Sequence, residues 1–243
     1  MANPTAAMLV IGDEILSGRT QDSNSHHLAG ELTARGIDLR EVRVVSDDRA
    51  AIVAAARALS AAYDQVFTSG GIGPTHDDIT ADCIAEALGA SIDVREDARA
   101  LLVAHYAQQG TELNEARLRM ARVPDGAALI DNPISAAPGF TLGNVHVMAG
   151  VPAIFKAMVA SVLPTITGGA PIVSRTLRLT RAEGEIAGPL GELAQAHPDL
   201  SFGSYPFIQD GVLGSNIVVR GSDAAAVEAA IAALAAKFPD TGA

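Results

Sequence analysis

The sequence has no tryptophan, one cysteine (Cys83) and only two lysines, Lys156 and Lys237, among 243 residues. A single cysteine excludes an intrachain disulfide framework and a multi-cysteine zinc site. Aromatic residues make up only 4% of the chain, and much of its hydrophobic content is alanine and valine. No apolar run reaches the ~18 residues of a membrane span. The opening Met1-Ala2-Asn3-Pro4 lacks the charged and apolar regions of a signal peptide. A soluble cytoplasmic protein with no membrane partner is therefore expected. Positive charge is also scarce: 17 Lys and Arg face 28 Asp and Glu, a net charge of −11. Ahead of Gly168, 12 cations stand against 20 carboxylates, and beyond it 5 stand against 8. A general nucleic-acid binder needs cations to displace counterions from phosphates, so no nucleic-acid partner is expected. The cations that remain are mostly arginines, suited to forked contacts with carboxylates or phosphates.

The residues present are 49% hydrophobic, enough for a sizeable core. Their pattern alternates strand and helix. Strands are predicted over 6–11, 37–45, 65–68, 128–130, 139–142 and 145–148, with helices over 23–35, 48–62, 78–88, 96–109, 113–122 and 152–162. This β-α-β-α-β-α order implies a mostly parallel sheet with helices on both faces, in three α/β/α layers. Ligands on such sheets sit at the carboxyl ends of strands. The segment Thr167-Gly168-Gly169-Ala170-Pro171 reads as a linker. It separates a domain over 1–167 from a small α+β module over 171–243, with strands at 173–179, 200–207 and 215–220 and helices at 185–196 and 223–237.

The most informative stretch is Thr68-Ser69-Gly70-Gly71-Ile72-Gly73-Pro74-Thr75-His76-Asp77-Asp78, between a predicted strand and a predicted helix. Its glycines let the backbone approach a ligand and turn N–H groups inward, and Ser69 and Thr75 add hydroxyls. No Lys-Ser/Thr pair follows, so it is not a Walker loop, and the spacing is not that of a dinucleotide fingerprint. Asp77 and Asp78 would repel a phosphate unless a cation lay between, and hard oxygen ligands there suit Mg²⁺. The plain alternative is that one of them caps the helix while the glycines only make a tight turn. A second stretch, Gly12-Asp13-Glu14-Ile15-Leu16-Ser17-Gly18, follows the first strand and opens at the same sheet end. Asp13 and Glu14 offer metal or acid/base carboxylates, and Ser17, Thr20 and Asn24 offer neutral hydrogen bonds. A third, Asn132-Pro133-Ile134-Ser135-Ala136-Ala137-Pro138-Gly139-Phe140, is an extended loop of small residues suited to a planar group. A fourth, Ala149-Gly150-Val151-Pro152, is another strand-to-helix turn, for which packing is the plainer reading when it is taken alone. Cys83 falls on the apolar face of its helix, a core position, and the histidines have no partners at ligand spacing.

Together these stretches resemble the molybdopterin-binding-like domain family, which includes the MoaB/Mog-type cofactor-assembly proteins and the amino-terminal part of the CinA (competence/damage-inducible protein A) family. The resemblance spans residues 6 to about 166, and the tail from Pro171 is similar to the KH-like module that follows this domain in CinA-type proteins. The resemblance implies a MoaB/Mog-like fold and a pterin or nucleotide phosphate as small-molecule partner. It also implies Mg²⁺ or another divalent metal as cofactor, with molybdopterin as a candidate ligand. The implied catalytic and metal-holding residues are Asp77, Asp78 and Glu14. The implied ligand contacts are Gly12, Asp13, Ser17, Ser69, Gly70, Gly71, Gly73, Thr75, Asn132, Pro138, Gly139 and Gly150. Four functions are compatible with it: binding of the pterin or nucleotide, Mg²⁺-dependent transfer of an adenylyl group to molybdopterin, Mg²⁺-dependent hydrolysis of ADP-ribose-type pyrophosphates, and a non-enzymatic oligomeric scaffold. Family members often carry a further domain that deamidates nicotinamide mononucleotide; this sequence stops before it, and that activity is not expected. Ala149 stands where the family commonly has proline. A homo-oligomer is expected, from the family and from apolar positions of the last helix, Ile231 and Leu234, that need cover.

Overall fold

The apolar run near the start of the chain forms the centre of a sheet. Strand β1 (Thr5–Ile11) sends Ala7, Leu9 and Ile11 into one core and Ala6, Met8 and Val10 into another. Successive side chains of a strand point to opposite faces, and here both faces are covered, so β1 past Thr5 has no polar residue. The computed structural model describes residues 3–239, and the chain divides between Gly169 and Ala170 into two units.

In the first unit, β1 is followed by one turn of helix, α1 (Asp13–Leu16), and then by α2 (Asn24–Ala34), β2 (Asp38–Val45), α3 (Arg49–Ala62) and β3 (Gln65–Ser69). Next come α4 (Thr80–Leu88), β4 (Ile92–Val94), α5 (Glu96–Gln108), α6 (Glu115–Leu118), β5 (Arg122–Pro124), β6 (Ala128–Ile130), β7 (Gly139–Leu142), β8 (Val145–Met148) and α7 (Pro152–Val162). Six strands form one sheet in the order β2-β1-β3-β8-β7-β6. The first four run parallel, and β7 and β6 add an antiparallel edge. Helices α2 and α7 cover one face through Leu28, Leu32, Phe155 and Met158. Helices α3, α4 and α5 cover the other through Ile52, Leu59, Ile84 and Leu102. This is the three-layer α/β/α arrangement with a mostly parallel sheet. The chain leaves β1 for β2 on one side and returns to β3 on the other, so a topological switch point lies between β1 and β3.

Two local readings of the sequence are corrected. Helix α4 begins at Thr80, two residues later than the pattern predicts, with Ile79 at its N-cap and no side-chain capping bond. Neither Asp77 nor Asp78 caps it. The predicted helix over 113–122 is only the single turn α6 and a tighter turn over Arg119–Ala121, after which β5 pairs with β4. Pro124 contributes, because it disfavours helical geometry in the residue before it.

The second unit follows the β-α-β-β-α order: β9 (Val173–Leu179), α8 (Glu183–Ala196), β10 (Ser201–Gln209), β11 (Val212–Gly221) and α9 (Ala224–Lys237). Its antiparallel sheet has the order β10-β11-β9. The core gathers Leu179, Ile186, Leu193, Ile217 and Leu234. Leu234 is thus fully buried, and Ile231 packs half-buried against Val219, Val227 and Ala230. The α9 residues that argued for a neighbouring copy are covered within their own unit. The exposed apolar residues are instead Tyr205, Ile208, Val212 and Leu213 on the β10–β11 hairpin. Gly169, assigned to the linker, is held in the first unit, where its amide donates to the carbonyls of Arg35 (3.1 Å) and Gly36 (3.2 Å). Among the described residues, no helix is long and apolar enough to cross a membrane.

Candidate functional site

The carboxyl ends of β1, β3 and β8 lie side by side, and a glycine-containing turn leaves each. Gly70 and Gly71 have φ of 108° and 68°, a region that L side chains rarely adopt. Space forbids a side chain as well: a Cβ on Gly70 would lie 2.1 Å from the Ile11 carbonyl oxygen, and one on Gly71 would lie 2.1 Å from Thr80 Oγ1. A Cβ on Gly150 would come within 3.2 Å of the Gly70 Cα, so the β3 and β8 turns are in near-backbone contact. Asn24 of α2 fastens them. Its Nδ2 donates to Ser69 Oγ and to the Gly150 carbonyl, both at 2.8 Å.

These turns wall a cavity of about 400 Å³. Of the residues singled out in the sequence, Gly12, Glu14, Gly70, Gly71, Gly73, Asp77, Asp78, Asn132 and Gly150 line it. Ile72, Met120, Val151 and Ile154 supply apolar wall. Ser69 lines a smaller chamber of about 50 Å³ with Asn24, and Pro138 lines a crevice of about 20 Å³ that shares the glycine turn. Asp13, Ser17, Thr75 and Gly139 do not line the main cavity, each for a local reason. The Asp13 amide donates to Asp47 Oδ2 (3.0 Å) while its own side chain is exposed. Ser17 Oγ turns back to the Glu14 carbonyl (3.4 Å). The amide and hydroxyl of Thr75 both donate to Asp78 Oδ2, at 2.8 and 2.6 Å. Gly139 is a packing glycine, since a Cβ there would lie 2.2 Å from the Val147 carbonyl oxygen. Asn132 shapes its loop: Nδ2 donates to Ser135 Oγ and the Ala137 carbonyl, and Oδ1 accepts from the amides of Ile134 and Ser135.

Sequence reasoning missed Asp47, which lines the cavity just past β2. Burial pushes its carboxyl above the ordinary range; the amide of Asp13 opposes this, and the charges of Asp13, Glu14 and Asp77 add to it. The only signal was an acidic residue after a predicted strand, next to the start of the helix predicted over 48–62. In the structure its neighbour Asp48 caps α3, accepting from the Ala51 amide at 2.8 Å.

The glycine turn carries the clearest chemistry. Among the described residues, the amides of Gly71, Ile72 and Gly73 donate to no protein acceptor, and all three residues line the cavity. Consecutive backbone N–H groups of this kind form an anion-binding concavity. The carboxylates do not form a ready-made metal cage. Among the described residues, no three His, Cys, Asp or Glu side chains are grouped to hold a metal ion. Two further groups are structural. Cys83 is fully buried and its thiol is pushed up to about 11 by burial, unsuited to nucleophilic work. His146 is buried against the Phe67 ring and bonded to Thr141 Oγ1 (2.9 Å) and Gln65 Oε1 (2.8 Å), and burial lowers its pKa to about 4.

Residues 7–168 match the family described as "Probable molybdopterin binding domain", and residues 171–243 match the one described as "FAD synthase, middle domain". A protein from Pyrobaculum calidifontis is 35% identical over 212 residues, covering 84% of this chain and 81% of that one. A CinA-like protein from Myxococcus xanthus is 36% identical over 211 residues, covering 81% of this chain and 50% of that one. The chain thus spans about half the length of that CinA-like relative. Among solved structures, that of the protein CinA from Thermoplasma acidophilum, described as of unknown function, is 34% identical with a TM-score of 0.61. The match covers 66% of this chain and 98% of that one. The chain therefore belongs to the molybdopterin-binding domain family and, within it, to the CinA-like proteins.

Proposed function

We propose that the cavity binds a pterin or nucleotide through its phosphate. The observation that carries this reading is the run of three unpaired amides, Gly71 to Gly73, on a turn that only glycine can make at Gly70 and Gly71. The apolar wall of Ile72, Met120, Val151 and Ile154 and the small-residue loop at 132–137 suit a flat ring beside it. A divalent cation fits as a partner of the ligand rather than as a resident ion. Mg²⁺ takes one or two carboxylates and completes its shell with water and phosphate oxygens. Asp78, with Asp77 or Glu14, would supply those carboxylates, and the metal would neutralise phosphate charge. Thr75 holds Asp78 Oδ2 in place.

A second reading, hydrolysis of an ADP-ribose-type pyrophosphate, is favoured by Asp47. Asp47 lines the cavity with Glu14 and Asp77, and a carboxylate at that wall suits a group that accepts a proton from water. Water would add at one phosphorus, its proton passing to Asp47, with AMP and ribose 5-phosphate as products.

The test is a thermal-shift screen of molybdopterin, ADP-ribose, NAD and ATP, with and without Mg²⁺. A ligand at 100 times its Kd adds about 2.7 kcal/mol, or about 5–10 °C for a protein of this size. A shift that needs Mg²⁺ and is lost in Asp78→Asn is expected. No shift with any of the four contradicts the reading and leaves the scaffold role. Release of AMP from ADP-ribose separates the second reading from binding alone.

A further inference from the structure

We propose that Arg119 is the phosphate-pairing cation of this cavity, the side chain that meets the ligand's phosphate from the far side of the glycine turn. The proposal rests on the phosphate reading above and names a residue that reading does not use.

The argument begins with charge. Glu14, Asp47, Asp77 and Asp78 all line the cavity, and none of its lining residues is Lys, Arg or His. One divalent cation offsets only half of those four negative charges before a phosphate brings its own. A second positive group must come from outside the lining. Arg119 is placed to be that group. It lines the narrow crevice that shares Gly71, Ile72, Gly73, Asp78 and Met120 with the cavity, and its Nη2 stands 3.4 Å from the Asp78 carbonyl oxygen. A bond of that length is weak and easily exchanged.

The neighbouring arginine shows the contrast. Arg122 lines the same crevice, but its guanidinium is taken by Asp82 at 2.5 Å and stands 3.9 Å from Asp93. Arg119 is exposed and, among the described residues, has no carboxylate partner. Its backbone is nonetheless fixed. Met120 beside it forms cavity wall, and Ala121 is fully buried with its carbonyl accepting from the Arg95 amide at 2.9 Å. An anchored Cα with an uncommitted head group is what a ligand-pairing arginine needs. A guanidinium offers a planar fork of donors that matches two phosphate oxygens, while the amides of Gly71 to Gly73 take the others.

The experiment is calorimetric titration of ADP-ribose with Mg²⁺ into the wild-type chain, Arg119→Ala, Arg119→Lys and Arg40→Ala. Arg40 lies near the start of β2, at the opposite end of the parallel sheet, and removes the same charge from elsewhere. Loss of a charge-assisted fork is expected to weaken Arg119→Ala by about 10- to 100-fold. Lysine should restore part of that affinity, Arg40→Ala should match wild type, and the salt dependence of binding should be shallower in Arg119→Ala. Melting curves of Arg119→Ala should match wild type. Arg119→Ala binding within twofold of wild type, or Arg40→Ala losing as much, overturns the role of Arg119 alone. A wild-type chain that binds no phosphate-bearing probe overturns the phosphate reading and this proposal with it.

Discussion

Replacing Gly70 by alanine puts a methyl group 2.1 Å from the carbonyl oxygen of Ile11, at a φ of 108°. Two costs combine. Holding an L residue at that φ costs about 1–3 kcal/mol. The contact is the harder of the two to relieve, because Ile11 ends a strand paired on both sides, with β2 and β3. Moving its carbonyl strains that ladder, so a total of about 3–5 kcal/mol is expected, within the range of severe single substitutions. Gly89 provides the control. It closes α4 at a φ of 71°, and nothing lies within 4 Å of a Cβ there, so Gly89→Ala isolates the backbone cost at about 1–2 kcal/mol. Urea unfolding followed by far-ultraviolet circular dichroism measures both. Gly70→Ala should lower the midpoint further than Gly89→Ala, by about one and a half times or more. Equal losses in the two variants would refute the claim that close backbone approach, rather than φ alone, dictates glycine at the cavity wall.

Three further outcomes are expected. His146 is held neutral by burial, so its folded pKa of about 4 lies below the ordinary 6.5. The stability it contributes is whole above pH 6.5 and is lost as pH falls toward 4, up to about 3 kcal/mol at 1.36 kcal/mol per pH unit. His146→Gln should flatten the stability-pH curve between 4 and 6.5, and an unchanged slope would exclude the histidine as its source. Cys83, with its thiol pushed up to about 11 and fully buried, should react with a thiol reagent only as fast as the protein unfolds; rapid native-state labelling would contradict its burial. Light scattering at micromolar concentration should return a multiple of 24.9 kDa, the chain mass, and the value 24.9 kDa itself would refute the homo-oligomer.

Much of the architecture was legible in the sequence because its strands are short apolar runs bounded by glycine and proline. The runs at 128–130, 139–142 and 145–148 coincide with β6, β7 and β8, and the proline-led helix α7 coincides with 152–162. What escaped was too short or too local for periodicity. Strands β4 and β5 have three residues each, and α1 is a single turn inside a polar loop. Strands β10 and β11 run past their predicted ends, because Ile208, Val212 and Leu213 are exposed and lack the alternation of a half-buried strand. The cavity divides the same way. Glycine position announces itself, since no other residue satisfies Gly70 or Gly71. Side-chain roles do not, because Ser17 and Thr75 spend their hydroxyls on neighbours three residues away. Asp47 reaches the cavity through the pairing of β2 with β1, which spacing along the chain cannot show.

The most direct measurement is a crystal structure of the chain soaked with ADP-ribose and Mg²⁺. The account predicts phosphate density within hydrogen-bond reach of the Gly71, Ile72 and Gly73 amides, with the cation between that phosphate and Asp78. Phosphate bound elsewhere, or these three amides still unpaired while ligand is bound, would contradict it.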